Sequence, residues 1–426
     1  MIFDRLYGRL SFPHVVGLLL TCPGLLRLRE IRIANVPFLA FPSFSNCNRY
    51  EHSIGACHLA GLTAKTLDLT AKDKIELMTA GLYHDVATPP FGHAVEGVLK
   101  AEFGYDHEQH LYDLLTGRTS DLGREMAQIF LGRSLKLQKV CQTPEARQLG
   151  LDPFRIADLA LGKTRLGSLL KSTVDLDNID NIIRASTAMG LEKGDGRLAE
   201  LLAMSFVIVG EEIQFSEKAF ENLSRWRRLR ERVYTCIYDD VQDFSLQAMI
   251  KHAVRVLVHS ENVPKLREED WCLTEEELLH NRLMQNPDTK RIATRIRLGD
   301  TFTCLGMFSL SSWDIDNVRK TAIPQLEDSS EKFFGFRIIA DYFLDRRWRT
   351  REIQTLHQPL MTFEENLKPH QIQPNVIVGI FTEERINKVK RLCKNRDFAS
   401  WVLSSIPSGT DVHFMRTLLE RTGGRF

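Results

Sequence analysis

The chain has 426 residues, 43% of them hydrophobic and 26% charged, with 56 lysines and arginines against 55 aspartates and glutamates. This composition excludes a disordered chain, and the length exceeds that of one small module, so two or three packed units are expected. A formal net charge of +1 also argues against a protein whose whole surface clamps nucleic acid.

Near the N-terminus, Asp4, Arg5 and Arg9 precede an uncharged stretch from Leu10 to Leu26. Pro13 and Pro23 interrupt it and no small-residue cleavage site follows, so neither a signal peptide nor a membrane span is expected. Residues 53–69 place Ile54, Cys57, His58, Gly61, Leu62, Thr66 and Leu67 at helical spacing, and residues 72–85 do the same through Ile75, Leu77, Met78, Gly81 and Leu82. Both read as buried helices. Pro89 and Pro90 stop the second, which leaves His84 and Asp85 at its C-terminal end with a turn behind them.

Residues 109–175 read as further helices and loops. Asp175 is a plausible N-cap for a helix carrying Ile179, Ile182 and Ile183, and residues 205–216 form two β-rich halves around Gly210, the pattern of a hairpin. Helical pattern resumes from about 217 to 310. Beyond it, residues 334–344 and 374–381 are β-like and 383–395 helical. Pro324 and the polar run 326–332 mark a break, so the expected fold is mainly α, with a helical domain over 1–320 and a smaller C-terminal α/β lobe over 321–426.

The eight cysteines (Cys22, Cys47, Cys57, Cys141, Cys236, Cys272, Cys304 and Cys393) form no C-x-x-C pair and read as free thiols of a reducing, cytoplasmic compartment. Histidine is less evenly spread. Six of the 13 histidines (His52, His58, His84, His93, His107 and His110) fall between positions 52 and 110. A residue that ligates metals and titrates near neutrality, concentrated in this way, points to a site.

His52, His84, Asp85 and Asp177 together make a mixed nitrogen and oxygen donor set that suits Mn, Fe, Zn, Ni, Co or Mg and leaves positions for water and substrate. Neighbours on a helix point about 100° apart, so His84 and Asp85 reach one ion only from a helix end or a distorted turn. The bland reading of a lone histidine, as a capping or core group, is kept for His58 and His110. Asp175 and Asp180 read as cap and helix-surface carboxylates, with Asp175 also a candidate partner for a ligating histidine. Arg184 lies on the same helical face as Asp177 and could reach phosphate or pair with Asp180. The basic run 225–232, interleaved with Trp226, is a pattern that nucleic acid also uses; near-zero net charge adds nothing to that, and the preferred reading is a solvated helix face with Arg230 excepted.

The segments NRYEHSIG (48–55), LYHDVATPPFGHAVE (82–96), YDHE (105–108) and DLDNIDNIIR (175–184) occur in this order and resemble the HD-domain phosphohydrolase superfamily, in particular its deoxynucleoside triphosphate triphosphohydrolase branch. DRLYG (4–8), LLRLREI (25–31) and RERVYTCIY (230–238) extend the resemblance over roughly residues 1–310. The resemblance implies that His52, His84, Asp85 and Asp177 hold a divalent metal. It also implies that His93 and His107 contact phosphate or donate protons, and that Arg49 and Arg230 bind phosphate.

The implied reaction is attack of a metal-activated water on the α-phosphorus of a deoxynucleoside triphosphate, releasing triphosphate. A homo-oligomer with a regulatory nucleotide site is implied as well. The chain departs from the branch at Thr88, where a histidine is usual, and at Asn178, Asn181 and Ala185, where a lysine, a tyrosine and an aspartate are usual. A glutamine usual near Ile33 is also absent. These departures motivate a second reading, a phosphomonoesterase or phosphodiesterase acting on a nucleotide. A third is a nucleotide-sensing or nucleic-acid-binding module without turnover.

Overall fold

The computed structural model describes residues 1–118, 137–172, 174–310, 317–344, 376–394, 396–407 and 410–417. The chain opens with an antiparallel hairpin of β1 (Ile2–Asp4) and β2 (Gly8–Leu10). Asp4 tightens its turn, because Oδ1 accepts from the backbone N–H groups of Leu6 (2.7 Å) and Tyr7 (3.1 Å).

Two buried helices follow, α1 (Arg49–Thr66) and α2 (Ala71–Tyr83). Each starts where a side chain satisfies an orphan backbone donor: Asn48 accepts from Glu51 and Thr70 from Asp73. Next come α3 (His93–Phe103), α4 (His107–Thr116), α5 (Pro153–Ala160) and α6 (Leu176–Ala188). Asp106 caps α4 and Asp175 caps α6, the latter as expected. The apolar positions Leu176, Ile179, Ile182 and Ile183 of α6 are all buried.

The expected hairpin is present as β3 (Phe206–Val209) and β4 (Glu212–Phe215), paired antiparallel. Helices α7 (Phe220–Asp239) and α8 (Val241–His259) follow, and a helix over Lys290–Leu298 packs into the same core. Trp226, Leu229 and Val233 of α7 are buried while Arg225, Arg228 and Arg232 are exposed, so most of the basic run is a solvated face. No helix among the described residues is long and apolar enough to cross a membrane.

Helical structure continues through Lys290–Leu298 but stops short of the expected residue 310. Thr303–Leu310 is a strand, β5, and it begins the sheet of the C-terminal lobe ahead of the break anticipated near 315–330. Its residues from Leu305 onward are all buried, and a short run that is apolar on both faces has no period to separate strand from helix. Helix α9 (Ile323–Phe334), β6 (Ile339–Leu344), β7 (Val376–Thr382), α10 (Ile386–Leu392), α11 (Phe398–Ser405) and β8 (Val412–Thr417) follow.

The sheet is antiparallel throughout, in the order β6-β7-β5-β8. Its two faces do different work, as strand alternation requires. Ile377 and Phe381 pack into the helical body, where Phe244 of α8 lies 5.2 Å from the Phe381 ring and 4.5 Å from the Phe343 ring. Val376, Val378 and Ile380 point the other way, into a second core with Leu326, Trp401 and Val402. Burying one such aromatic contributes about 1.5–3 kcal/mol, so the sheet is welded to α8 and β6 becomes a fixed part of the helical body's surface.

Candidate metal centre

Helices α1, α2 and α6 bring three sequence-distant side chains to one point. His52 Nε2 and His84 Nε2 are 3.2 Å apart, and Asp177 Oδ1 lies 2.9 Å from the first and 3.6 Å from the second. Asp85 Oδ2 stands 3.7 Å from His84 Nε2. His84 occupies the C-cap of α2 with helical backbone, so the end of the helix supplies the geometry that adjacent residues need. His52, His84 and Asp85 each offer a ligand atom within 4.8 Å of the others.

The donor set fits a cation. His84 Nδ1 donates to the carbonyl of Gly81 (2.8 Å), which accepts only, so its Nε2 carries a lone pair. His52 Nδ1 meets the Asp180 carboxylate at 2.7 Å. Two imidazole nitrogens and a carboxylate oxygen therefore face one another, an arrangement that requires positive charge between them. Without a metal, a proton serves: burial lowers the His52 pKa, but hydrogen bonds and charge from Asp177 and Asp180 outweigh it and raise the value to about 10. His84 and His52, by charge and hydrogen bonds, hold the Asp177 carboxyl well below the usual range, burial notwithstanding.

Metal uptake must displace that proton. The apparent affinity is therefore expected to rise about tenfold for each pH unit from roughly 7 to 9. Calorimetric titration of the full chain with Mn or Zn at several pH values measures it; an affinity that does not change with pH would contradict this account.

Behind the ligands lies a buried network that the sequence reading assigned differently. Asp180, expected on a helix surface, is 0% exposed and orients His52. Tyr7 donates to its Oδ1 at 2.7 Å, and Arg184 holds both oxygens at 2.9 and 3.0 Å. Arg184 Nη2 also reaches Asp4 Oδ2 at 3.1 Å. Arg184 is thus fully enclosed and braces Asp180; it is not among the residues that line the cavity where phosphate would bind. Asp175, the other candidate partner for a histidine, caps α6 and accepts from Ser172 and Asn178. The close approach of α1 to α6 depends on Gly55, where a Cβ would sit 1.9 Å from Asp180 Oδ1.

Of the candidate ligands, His84, Asp85 and Asp177 line a cavity of about 650 Å³. Arg49 lines it, and its Nη1 pairs with Asp85 Oδ2 at 2.7 Å while its buried Nε has no partner among the described residues. Thr88, where the resemblance led one to expect histidine, donates to Asp85 Oδ1 at 3.1 Å. His93 and His107 also line the cavity, held by one carboxylate: Glu96 Oε2 is 2.7 Å from His93 Nδ1, and Oε1 bonds His107 Nδ1. Burial lowers the His107 pKa, but Glu96 outweighs it and the net direction is upward from 6.5.

Glu96→Gln is expected to bring the His107 titration midpoint back down towards the ordinary imidazole range, near 6.5. NMR titration of labelled histidine would measure this, and an unmoved midpoint would refute the linkage. Arg230, expected at phosphate, is not a lining residue; it lies over the ring of Tyr234, which is. His58 and His110 are packed elsewhere, against Glu200 and Tyr7, and against Tyr105 and Trp271.

Residues missed by the sequence reading also line the cavity: Asn35, Lys171, Asp243, Gln247, Lys251 and Tyr342. Asn35 Oδ1 accepts from the His93 N–H at 3.2 Å, made possible by Gly92 in left-handed backbone (φ 50°), whose missing Cβ would lie 2.5 Å from that oxygen. Lys171 pairs with Glu108. None of these had a motif to reveal it, although the FGH sequence after two prolines was a signal for a special turn.

Comparison with known proteins places this geometry. Residues 49–151 match the HD domain family. The chain is 24% identical over 263 residues to a protein of Dictyostelium discoideum named "Deoxynucleoside triphosphate triphosphohydrolase SAMHD1 homolog", covering 59% of this chain and 48% of that protein. It is 30% identical over 120 residues to the Bos taurus "Deoxynucleoside triphosphate triphosphohydrolase SAMHD1" (26% of this chain, 20% of that protein), and 29% identical over 120 residues to the Homo sapiens protein of the same name (26% and 19%). The chain thus spans half or less of the length of these relatives. Residues 49–151 thus resemble an HD domain, and the chain is similar to the triphosphohydrolase branch that its sequence motifs also resemble.

Proposed function

We propose that this HD-domain chain is a metal-dependent phosphohydrolase acting on nucleotides, with a deoxynucleoside triphosphate as substrate and triphosphate as product. The observation that carries the reading is the convergence of two imidazole nitrogens and the Asp177 carboxylate at the wall of a nucleotide-sized cavity. His52, His84, Asp85 and Asp177 would hold the ion, which when bound supplies a Lewis acid and lowers the pKa of water.

The other groups are supplied by the chain. Arg49, already oriented by Asp85, offers a guanidinium to phosphate oxygens, and Lys171 adds a second cation at the cavity. His107, kept protonated by Glu96, donates a proton to the departing oxygen, with His93 on the same carboxylate as the alternative donor. Arg230 and Arg184 would act on substrate only indirectly, through Tyr234 and through Asp180 and His52.

Incubating the metal-loaded full chain with a panel of ribo- and deoxynucleotides, and identifying products by chromatography, tests the reading. Nucleoside plus triphosphate is the expected result; no triphosphate from any substrate would overturn it. One observation favours a second reading: Asn178, Asn181 and Ala185, the departures from the branch, all line the cavity. A phosphomonoesterase or phosphodiesterase on the same metal set would release inorganic phosphate or a linear nucleotide in the same assay. The scattered cysteines, with no C-x-x-C pair, support a cytoplasmic location, and the resemblance supports a homo-oligomer with a regulatory nucleotide; light scattering with and without nucleotide tests the assembly.

A further inference from the structure

The hairpin of β1 and β2 is small, with three residues in each strand and Phe3, Arg5 and Arg9 exposed, yet two of its side chains reach the network behind the metal ligands. A lone two-stranded hairpin is marginal in water, so its place depends on what it docks against. Leu6 and Leu10 anchor it in the helical core, and the Leu6 carbonyl accepts from the Gly196 N–H at 2.9 Å. The Tyr7 ring packs so closely on that glycine that a Cβ there would come within 2.3 Å of it.

The remaining anchors are polar and converge on one ion pair. Tyr7 donates its hydroxyl to Asp180 Oδ1 at 2.7 Å, and Asp4 Oδ2 meets Arg184 Nη2 at 3.1 Å. Asp4 and Tyr7 are themselves tied, since Asp4 Oδ1 accepts from the Tyr7 N–H at 3.1 Å. With its other oxygen Asp180 holds His52 Nδ1 at 2.7 Å, so a single carboxylate separates the hairpin from a candidate metal ligand. Burial, and next the Asp180 charge, raise the Tyr7 pKa well above the ordinary phenol value, so the hydroxyl keeps its proton and donates to that carboxylate.

We propose that Tyr7 is a positioning residue for the metal centre: by fixing Asp180 it fixes the ring of His52, so that hairpin docking and metal binding favour each other. When the hairpin lifts, Asp180 loses one of its donors and Arg184 one of its carboxylates, and the pair rearranges around the oxygen that orients His52. Metal therefore binds the docked form more tightly. Linkage then requires the converse, that bound metal holds the hairpin down by the same factor. This inference rests on the metal reading of the site and is independent of which phosphoester is cleaved.

Tyr7→Phe removes the hydroxyl and keeps the ring. Asp180 Oδ1 retains Arg184 Nη2 at 3.0 Å, so no carboxylate oxygen is orphaned and the variant should fold. Titration of the full chain with cobalt(II) at one pH, followed by visible absorption, should show affinity about tenfold weaker in the variant. The absorption bands should also shift at saturation, because His52 is held differently; lost packing alone would leave the bound ion's spectrum unmoved. In the unaltered chain, saturating cobalt(II) should slow hydrogen exchange of residues 2–10 about tenfold, read by mass spectrometry, and this protection should shrink in the variant. Affinity within about twofold of the unaltered chain, an unmoved spectrum, or hairpin exchange that ignores the metal would each overturn the proposal. The exchange measurement needs only the unaltered chain, so it decides the matter if the variant does not fold. Absence of cobalt binding to the unaltered chain would overturn the metal centre together with this inference, whereas equal binding by both chains would overturn the inference alone.

Discussion

Asp177→Ala should lower nucleotide hydrolysis by at least about a thousandfold, the scale of rate that an ion-activated water contributes in such sites. Asp177 Oδ1 approaches both imidazoles, so its loss removes a candidate ligand that lies close to His52 and His84 together. The side chain is one-third exposed and sits in the first turn of α6, so the backbone should tolerate alanine. Elemental analysis after dialysis should show less bound metal, and circular dichroism should show unchanged helix content. Turnover within about tenfold of the unaltered chain would remove the metal centre from the mechanism. Unchanged nucleotide binding and cellular effect in the inactive variant would favour a sensing module over an enzyme.

Asp180→Ala should be the most destabilising single change near the site, by about 3–5 kcal/mol, because it strips a fully buried guanidinium of its closest counter-charge. Among the described residues, Arg184 would keep as ion-pair partners Asp4 at 3.1 Å and Glu51 at 3.8 Å. His52 would also lose the carboxylate that orients its ring, and metal affinity should fall about 10- to 100-fold. Denaturant unfolding and metal titration read the two effects separately. Stability within about 1 kcal/mol of the unaltered chain would contradict the network.

Acid should reproduce part of the loss. The Asp180 carboxyl is buried, but Arg184 and His52 hold its pKa below the ordinary 3.8, so its contribution is present above that value and disappears as pH falls through the lower folded one. His52 runs the opposite way in the metal-free protein. Its contribution is complete below 6.5 and fades as pH rises through about 10.

The contrast between Asp177 and Asp180 shows how far the sequence could be read. Asp177, like His52 and His84, belongs to a chemical set whose members make sense only together, and short motifs announced them. Asp180 needs the contact of α1 with α6 across Gly55, and nothing local distinguishes it from a surface carboxylate three residues along a helix. The same holds for Arg184, whose helical spacing from Asp177 suggested phosphate until the depth of the helix pair was known. Helices with polar caps and a clear apolar stripe, such as α6, were legible; β5 was not, because it is buried on both faces and has no alternation to reveal it. Asp243, Asn35 and Lys171 became visible only when separate elements closed around one cavity.

The welding of β6 to the helical body has an evolutionary consequence. The stretch that matches the HD domain ends at residue 151 and carries His52, His84 and Asp85, yet the fourth candidate ligand, Asp177, lies on α6 and the opposite wall extends to Leu344. Under the proposed function, most of the reactive groups and most of the wall that meets the substrate would thus be inscribed in different parts of one polypeptide. A duplicated gene could keep the first while rewriting the second, and two descendants with indistinguishable motifs could part company over which molecule they consume.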